Sequence, residues 1–326
     1  MSGIADDWRP GASPERLRQR AKKLAQVRAF FAARDVLEVD TPQLVNRAVT
    51  DANIHSAEVR WPRDDERPRY LHTSPEYAMK RLLAAGCGDI YQMCHVFRGE
   101  EQGPLHNSEF MIVEWYRRGW ALAALMDEVD SLVRALMEPA SLAPARHLSY
   151  EQAFIDALGC NPLSDDDASL LARARRAGFD DALLLRCDRN ELLDLLMGAC
   201  VGPQLGKDGP VFIHRYPASQ AALARLDPDD ARVALRFELY LRGVELANGF
   251  EELGDAAEQR ARFAADQRTR AARNLPVPEM DQLLLAALNA GLPSCSGVAL
   301  GLDRLLMLAL GAQRIGEVMA FTSERA

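Results

Sequence analysis

The sequence lacks the cysteine and histidine spacing of a zinc site. Six histidines, at 55, 72, 95, 106, 147 and 214, and six cysteines are spread through 326 residues, and no two cysteines form a CxxC pair. Zinc-ligand spacing is therefore absent. Cys87, Cys94, Cys160, Cys187, Cys200 and Cys295 are expected to be reduced, mostly buried thiols, as is usual in a cytoplasmic protein. A basic excess is also missing. The net charge is -8, so no general field draws the chain to nucleic acid or to an anionic membrane, and only a local basic groove remains open. No apolar run is long enough to span a bilayer. The first ten residues, MSGIADDWRP, carry acids and no apolar core, so no signal peptide is expected. Internal repeats, low-complexity tracts and an evident Ser-His-Asp set are absent as well.

What is present is ordinary for a soluble globular protein: 48% hydrophobic and 26% charged residues. The length suits one large domain or two small ones. The chain is organised around residues 96–115, VFRGEEQGPLHNSEFMIVEW. Strand-like segments at 90–97 and 110–116 flank a charged middle rich in Gly, Pro, His and Asn, the pattern of two strands joined by a long loop. Arg98, Glu100, Glu101, His106 and Phe110 lie on or beside that loop. An Arg can fork onto a phosphate, a carboxylate can accept from an exocyclic amine, and a Phe can stack on a base. The same residues also suit a plain solvated loop.

Around this hairpin the elements follow in order. Ser13 and Pro14 start a helix with apolar residues at 17, 24, 27, 30 and 31 that ends near residue 34, and a strand at 36–41 stops at Pro42. Residues 53–72 read as strands around a polar turn at 62–68. Ser74 and Pro75 introduce a helix over 76–85, whose Glu76 either complements the helix dipole or faces a pocket and holds an amine. A helix is expected over 121–137 and a connector over 138–147. Capping boxes at Ser149/Gln152 and Asp188/Glu191, with a helix from Ser164 to Gly178, make a helical insertion at about 149–205. A strand is expected at 211–216. Residues 235–253, LRFELYLRGVELANGFEEL, place Glu245 and Glu252 on strands, where unpaired carboxylates are costly unless bound to a cation. Asp255 with Glu258 opens a polar helix to residue 274. Finally CSGVALGLDRLLMLALG, 295–311, runs a glycine-punctuated strand into a helix. There Gly297 and Gly301 allow a ligand to approach the backbone. Arg304, in the first helical turn, is disfavoured by the dipole, which an anion would explain.

In this order the pieces resemble the catalytic core of a class II aminoacyl-tRNA synthetase. The first helix, strand and Pro42 resemble the family's first motif, FRGE with HNSEF its second, and GLDR its third. TSPEY and GVELANGFEEL resemble its lysyl branch. YPASQAALA and SGVALGLDR resemble shortened members of that branch that attach (R)-β-lysine to elongation factor P. The resemblance implies an α+β fold with a central antiparallel β-sheet flanked by helices and carrying the helical insertion. It also implies ATP as substrate, Mg2+, a homodimer through the first motif, elongation factor P as acceptor, and neither tRNA nor membrane as partner. About a dozen residues precede the first helix, too few for a five-stranded anticodon-binding barrel, so a single catalytic domain over 1–326 is expected.

By that resemblance Arg98 grips the ATP α-phosphate, Glu100 the adenine amine, and Asn107 also contacts ATP. His106 lies near the outer phosphates and Phe110 stacks on adenine. Arg304 holds the γ-phosphate, with Gly301 and Leu246 against the nucleotide. Glu245 binds metal and ATP, with Glu252 as a further metal candidate. Ser74, Pro75, Glu76, Tyr116 and Glu252 line the amino-acid pocket. Arg98 and Arg304 are the expected catalytic pair. Two departures matter. Gly99 stands where the lysyl branch usually has Asn, so a backbone contact would survive there and a side-chain contact would not. Ala299 stands where that branch usually has Gly. The added methyl, worth roughly 1–3 kcal/mol in discrimination, is expected to favour β-lysine over α-lysine. A tRNA-charging enzyme, a non-catalytic regulatory paralogue and a small-molecule amide ligase are the competing readings.

Overall fold

The structure is a computed structural model, and it describes residues 8–60, 68–99, 102–137 and 142–326. In chain order its elements are α1 (Pro14–Ala32), β1 (Leu37–Glu38), β2 (Leu44–Val45), β3 (Glu58–Val59), β4 (Arg69–Leu71), α2 (Glu76–Ala84), β5 (Ile90–Phe97), β6 (Glu109–Arg118), α3 (Leu122–Leu136), β7 (Arg146–Ser149), α4 (Tyr150–Leu158), α5 (Asp167–Arg176), α6 (Asp181–Leu184), α7 (Arg189–Leu196), β8 (Val211–Pro217), β9 (Val233–Leu241), β10 (Val244–Glu251), α8 (Ala256–Ala272), α9 (Gln282–Gly291), β11 (Cys295–Gly301) and α10 (Leu302–Ala309).

The main sheet runs β1-β5-β6-β11-β10-β9-β8-β7. Its six central strands are antiparallel, as expected, but both edges pair parallel, β1 with β5 and β7 with β8. Of the strand expected at 36–41 only Leu37 and Glu38 find partners, because pairing with β5, and not propensity, sets its length. The connector expected at 138–147 contains the start of β7; residues 138–141, like residues 62–67 of the turn expected at 62–68, fall outside the described residues.

Alternation along these strands separates two faces. One carries Tyr91, Val113, Trp115, Val298, Leu300, Phe237 and Leu239 into a core with Phe31 of α1, Val129 and Leu132 of α3, and Leu305 of α10. The register places Glu114, Tyr116, Gly297, Ala299 and Asn248 together on the opposite face. A second core, centred on Phe154, Leu170, Leu193 and Tyr240, packs the insertion helices against the end of the sheet. Among the described residues no helix is long and apolar enough to cross a membrane.

Several expected caps shift. Ser13 accepts from the Arg16 amide and Pro14 opens α1. Asp188 and Glu191 form a reciprocal capping box. Ser149 accepts from the Gln152 amide, but the Gln152 side chain turns to Asp156 at 2.7 Å, so the box is half formed. Asp166, not Ser164, caps α5, since its carboxylate reaches the Ser169 amide at 2.8 Å. Pro75, not Ser74, is the N-cap of α2. Helix α9, packed on Phe263 and Tyr77, has no counterpart in the sequence reading. The segment before α1 is tied to the end of the chain: the Gly11 amide donates to Ala320 O at 2.8 Å and the Ala12 amide to Met319 O at 3.1 Å.

Candidate active site

The polar face of the sheet holds two neighbouring clusters. The first lies where α2 crosses the ends of β6, β10 and β11. Glu114 is 2% exposed, and both its oxygens accept from hydroxyls, Ser74 Oγ at 2.7 Å and Tyr116 Oη at 2.7 Å. Ser74 Oγ also accepts from the Glu76 amide at 3.0 Å, so one hydroxyl ties the start of α2 to the sheet. Glu76, in the first turn of α2, and Glu252, just past β10, both meet Lys80: its Nζ lies 2.6 Å from Glu76 Oε1 and 2.6 Å from Glu252 Oε2. Burial, together with the negative charge of Glu76, pushes the Glu114 carboxyl well above the usual carboxylate range. Burial does the same to Glu252 against the opposing pull of Lys80. A methyl on Gly297 would overlap the Tyr116 ring and the Glu252 carboxylate, so this glycine is required by close approach.

The second cluster is a cleft lined by Arg98, His106, Asn107, Phe110, Glu245, Leu246, Asn248, Ala299, Gly301 and Arg304. The hairpin positions Arg98: its amide donates to Ser108 O at 2.9 Å, and its guanidinium carbon lies 5.2 Å from the Phe110 ring centre. Arg304 is aimed by two carbonyls, with Nε donating to Leu105 O at 3.2 Å and Nη1 to Glu245 O at 3.1 Å. Those carbonyls supply a structural reason for an Arg in the first turn of α10, beside the anion that the sequence suggested. A register shift between Glu245 and Ala247 is a bulge, and both Glu245 and Leu246 line the cleft. Burial and the charge of Glu238 raise the Glu245 carboxyl well above the usual range, against Arg304, Arg236 and Arg98.

Most of the residues singled out from sequence are thus brought together, in two groups. Ser74, Glu76, Tyr116 and Glu252 form the acid-lined pocket. Arg98, His106, Asn107, Phe110, Glu245, Leu246, Gly301 and Arg304 form the cleft, and Ala299, two residues from Gly297 on β11, joins the cleft wall beside Phe110 and Ile112. Glu100 and Glu101 lie outside the described residues. Three residues sit differently from expectation. Asn107 lines the cleft, but its side chain is committed to the backbone, Nδ2 donating to Glu109 O at 2.5 Å and Oδ1 accepting from the Ser323 amide at 2.9 Å. Pro75 opens instead onto a larger depression shared with Arg47, Arg69 and Arg81. Glu252, also expected as a metal ligand, has its carboxylate against the Lys80 ammonium, and among the described residues no three His, Cys, Asp or Glu side chains cluster as a metal site. A Mg2+ ion fits Glu245 better, since that ion is commonly held by one or two carboxylates plus substrate phosphates. Gly99 packs on His55, whose carbonyl accepts its amide at 2.8 Å, and a Cβ there would come within 3.3 Å of the His55 Cβ.

Sequence reasoning passed over Glu114, Lys80, Asn248 and Asp303. Two signals were available: Glu114 alternates with Tyr116 on one strand face, and Lys80 follows Glu76 by four residues on one helix face. Asn248 accepts from Arg236 Nε at 3.2 Å, which in turn is paired with Glu238.

The chain is similar over nearly its whole length to proteins of one family. The family model described as tRNA synthetases class II (D, K and N) matches residues 6–325. A protein of Klebsiella pneumoniae subsp. pneumoniae named elongation factor P–(R)-β-lysine ligase is 51% identical over 322 residues, covering 98% of each chain. A protein of the same name from Salmonella typhi is 50% identical over 322 residues, again 98% of each.

Proposed function

Because the chain belongs to the class II tRNA synthetases of the D, K and N group, we propose that it is an ATP-dependent, AMP-forming ligase that activates (R)-β-lysine and transfers it to a lysine side chain of elongation factor P. The observation that carries this reading is the adjacency of an arginine-lined cleft and a three-carboxylate pocket on one sheet face. The names and near-complete coverage of its relatives support the acceptor. The 326 residues act as one catalytic domain with a helical insertion at about 149–205, working as a cytoplasmic homodimer on a protein and not on tRNA.

In this reading Arg98 and Arg304 grip the phosphates of ATP and Phe110 stacks on adenine, with Glu100, His106, Asn107, Leu246 and Gly301 completing the nucleotide site. Ser74, Glu76, Tyr116 and Glu252 shape the amino-acid site. The ammonium groups of β-lysine anchor in the acid pocket, which leaves its carboxylate pointing toward the cleft. That carboxylate attacks the α-phosphorus in line, the bond to the β-phosphate oxygen breaks, and pyrophosphate leaves. Charge crowds on the phosphates during this step, so catalysis is positioning plus electrostatic stabilisation. Mg2+ held by Glu245 would supply further neutralisation of phosphate charge. The neutral amine of the acceptor lysine then attacks the activated carbonyl, AMP departs, and no protein nucleophile is needed. The Ala299 methyl at the boundary of the two clusters favours β-lysine over α-lysine.

The test is incubation with ATP, (R)-β-lysine and elongation factor P, read by intact mass, beside ATP–pyrophosphate exchange. The expected product is elongation factor P heavier by one β-lysyl group, with exchange dependent on β-lysine. Arg98→Ala is expected to slow exchange by about a hundredfold or more; exchange at the wild-type rate in that variant would sink the assignment of the cleft.

A further inference from the structure

Lys80 belongs to the acid pocket but has no part in the chemistry above. On an exposed helix face, a Lys four residues after a Glu forms a solvated pair that contributes little. Here the Lys80 side chain is 1% exposed and bridges from α2 to the sheet, touching Glu76 on its own helix and Glu252 beyond β10. Stability alone does not call for this arrangement, since buried ion clusters can often be replaced by apolar groups at no cost. Three carboxylates converge at this point: the charges of Glu76 and Lys80 act on Glu114, and those of Lys80, Glu76 and Glu114 act on Glu252. With one ammonium among three carboxylates, the pocket retains two negative charges when all are ionised.

Resting on the reading that this pocket takes a basic amino acid, we propose that Lys80 is a positioning residue that sets the pocket's charge and spacing for a ligand with two ammonium groups. Its ammonium compensates one carboxylate and holds Glu76 and Glu252 at a fixed separation around itself. A diamino monocarboxylic acid then matches the remaining charge with both its ammonium groups, while its carboxylate stays outside toward Arg98 and Arg304. A ligand with one ammonium leaves a buried carboxylate uncompensated, which is costly. Removing Lys80 lets a ligand ammonium sink into the vacated position between Glu76 and Glu252. The reacting carboxylate is then drawn away from the cleft.

The full-length protein is the test object. Calorimetry should show wild-type protein binding β-lysine and α-lysine at least about tenfold more tightly than 6-aminohexanoate, which has one ammonium. Lys80→Met, of similar length and apolar, leaves Glu76 and Glu252 without their cation, so it should lower the thermal midpoint, and its kinetics are read at a temperature where it is still folded. It should raise the KM for β-lysine in pyrophosphate exchange by about tenfold or more, with the KM for ATP little changed. Lys80→Ala should regain exchange when methylammonium or ethylammonium is added, and not with neutral alcohols of equal size, which separates charge from packing. The proposal is overturned if Lys80→Met leaves the KM for β-lysine unchanged, if alcohols rescue as well as amines, or if wild-type protein binds 6-aminohexanoate as tightly as the lysines. Wild-type protein that binds both lysines but performs no exchange would count against the ligase activity alone, and the calorimetric comparison of variants would still decide the role of Lys80.

Discussion

At Gly297 the acid-lined pocket has no spare room. The Tyr116 ring and the Glu252 carboxylate both occupy the space that a side chain would need, and each is itself fixed, Tyr116 through Glu114 and Glu252 through Lys80. The cost of a methyl therefore cannot be relieved by one flexible neighbour. Gly297→Ala is expected to lower stability by about 1–3 kcal/mol, in the range of overpacked cores, and to abolish β-lysine-dependent exchange while ATP still binds. Urea unfolding and a nucleotide-binding titration on the same preparation check both halves; a variant with wild-type stability and exchange would mean that the pocket opens easily.

At the scale of elements, α1 and α10 are locked together by the buried Asp303 of GLDR. Its carboxylate accepts from Arg20 of α1 and from the Met111 amide of β6, the latter at 2.7 Å. This motif thus has one residue for the cleft, Arg304, and one for the scaffold. Asp303→Ala leaves Arg20, which is 13% exposed in its side chain, without its partner. It is expected to cost about 3 kcal/mol or more, the usual penalty for breaking a buried pair from one side, measured by the urea midpoint. The same elements show what the sequence makes legible. The β5–β6 hairpin, the β9–β10 pair and the strand-to-helix turn at Gly301 were readable, because long alternating or glycine-punctuated runs have a strong period. Short elements were not: β7 spans four residues and β1 two, and their pairing depends on partners distant in the chain. Helix α9 begins with the run Leu283–Leu284–Leu285, which has no clear period, and it is positioned by Phe263 and Tyr77 from other elements. At the site the charged residues were legible through their motifs. The supporting residues Glu114 and Lys80 were passed over because a strand acid and a helical Lys look ordinary until burial and partner are known.

For the whole molecule, the proposed homodimer is supported by what α1 and β1 leave uncovered. Val27, Phe30 and Phe31 point into the core, while Ala21, Ala25, Ala29 and Ala32, spaced along the other side of the helix, are exposed. Small residues at that spacing permit close helix approach. Beside them Leu37 is 53% exposed on the strand at the edge of the main sheet, where an open edge invites pairing. Association there would bury Leu37 and stiffen α1, which through Arg20 and Asp303 braces the start of α10 and so the helix that carries Arg304. The dimer is therefore expected to matter for catalysis and not only for stability. Light scattering at micromolar concentration should give twice the chain mass. Ala29→Arg, which places a charge in the middle of the exposed stripe, should give monomers whose exchange activity falls with the fraction dissociated. A wild-type monomer under those conditions would contradict the dimer, and a fully active Ala29→Arg monomer would show that the brace on Arg304 does not need a second subunit.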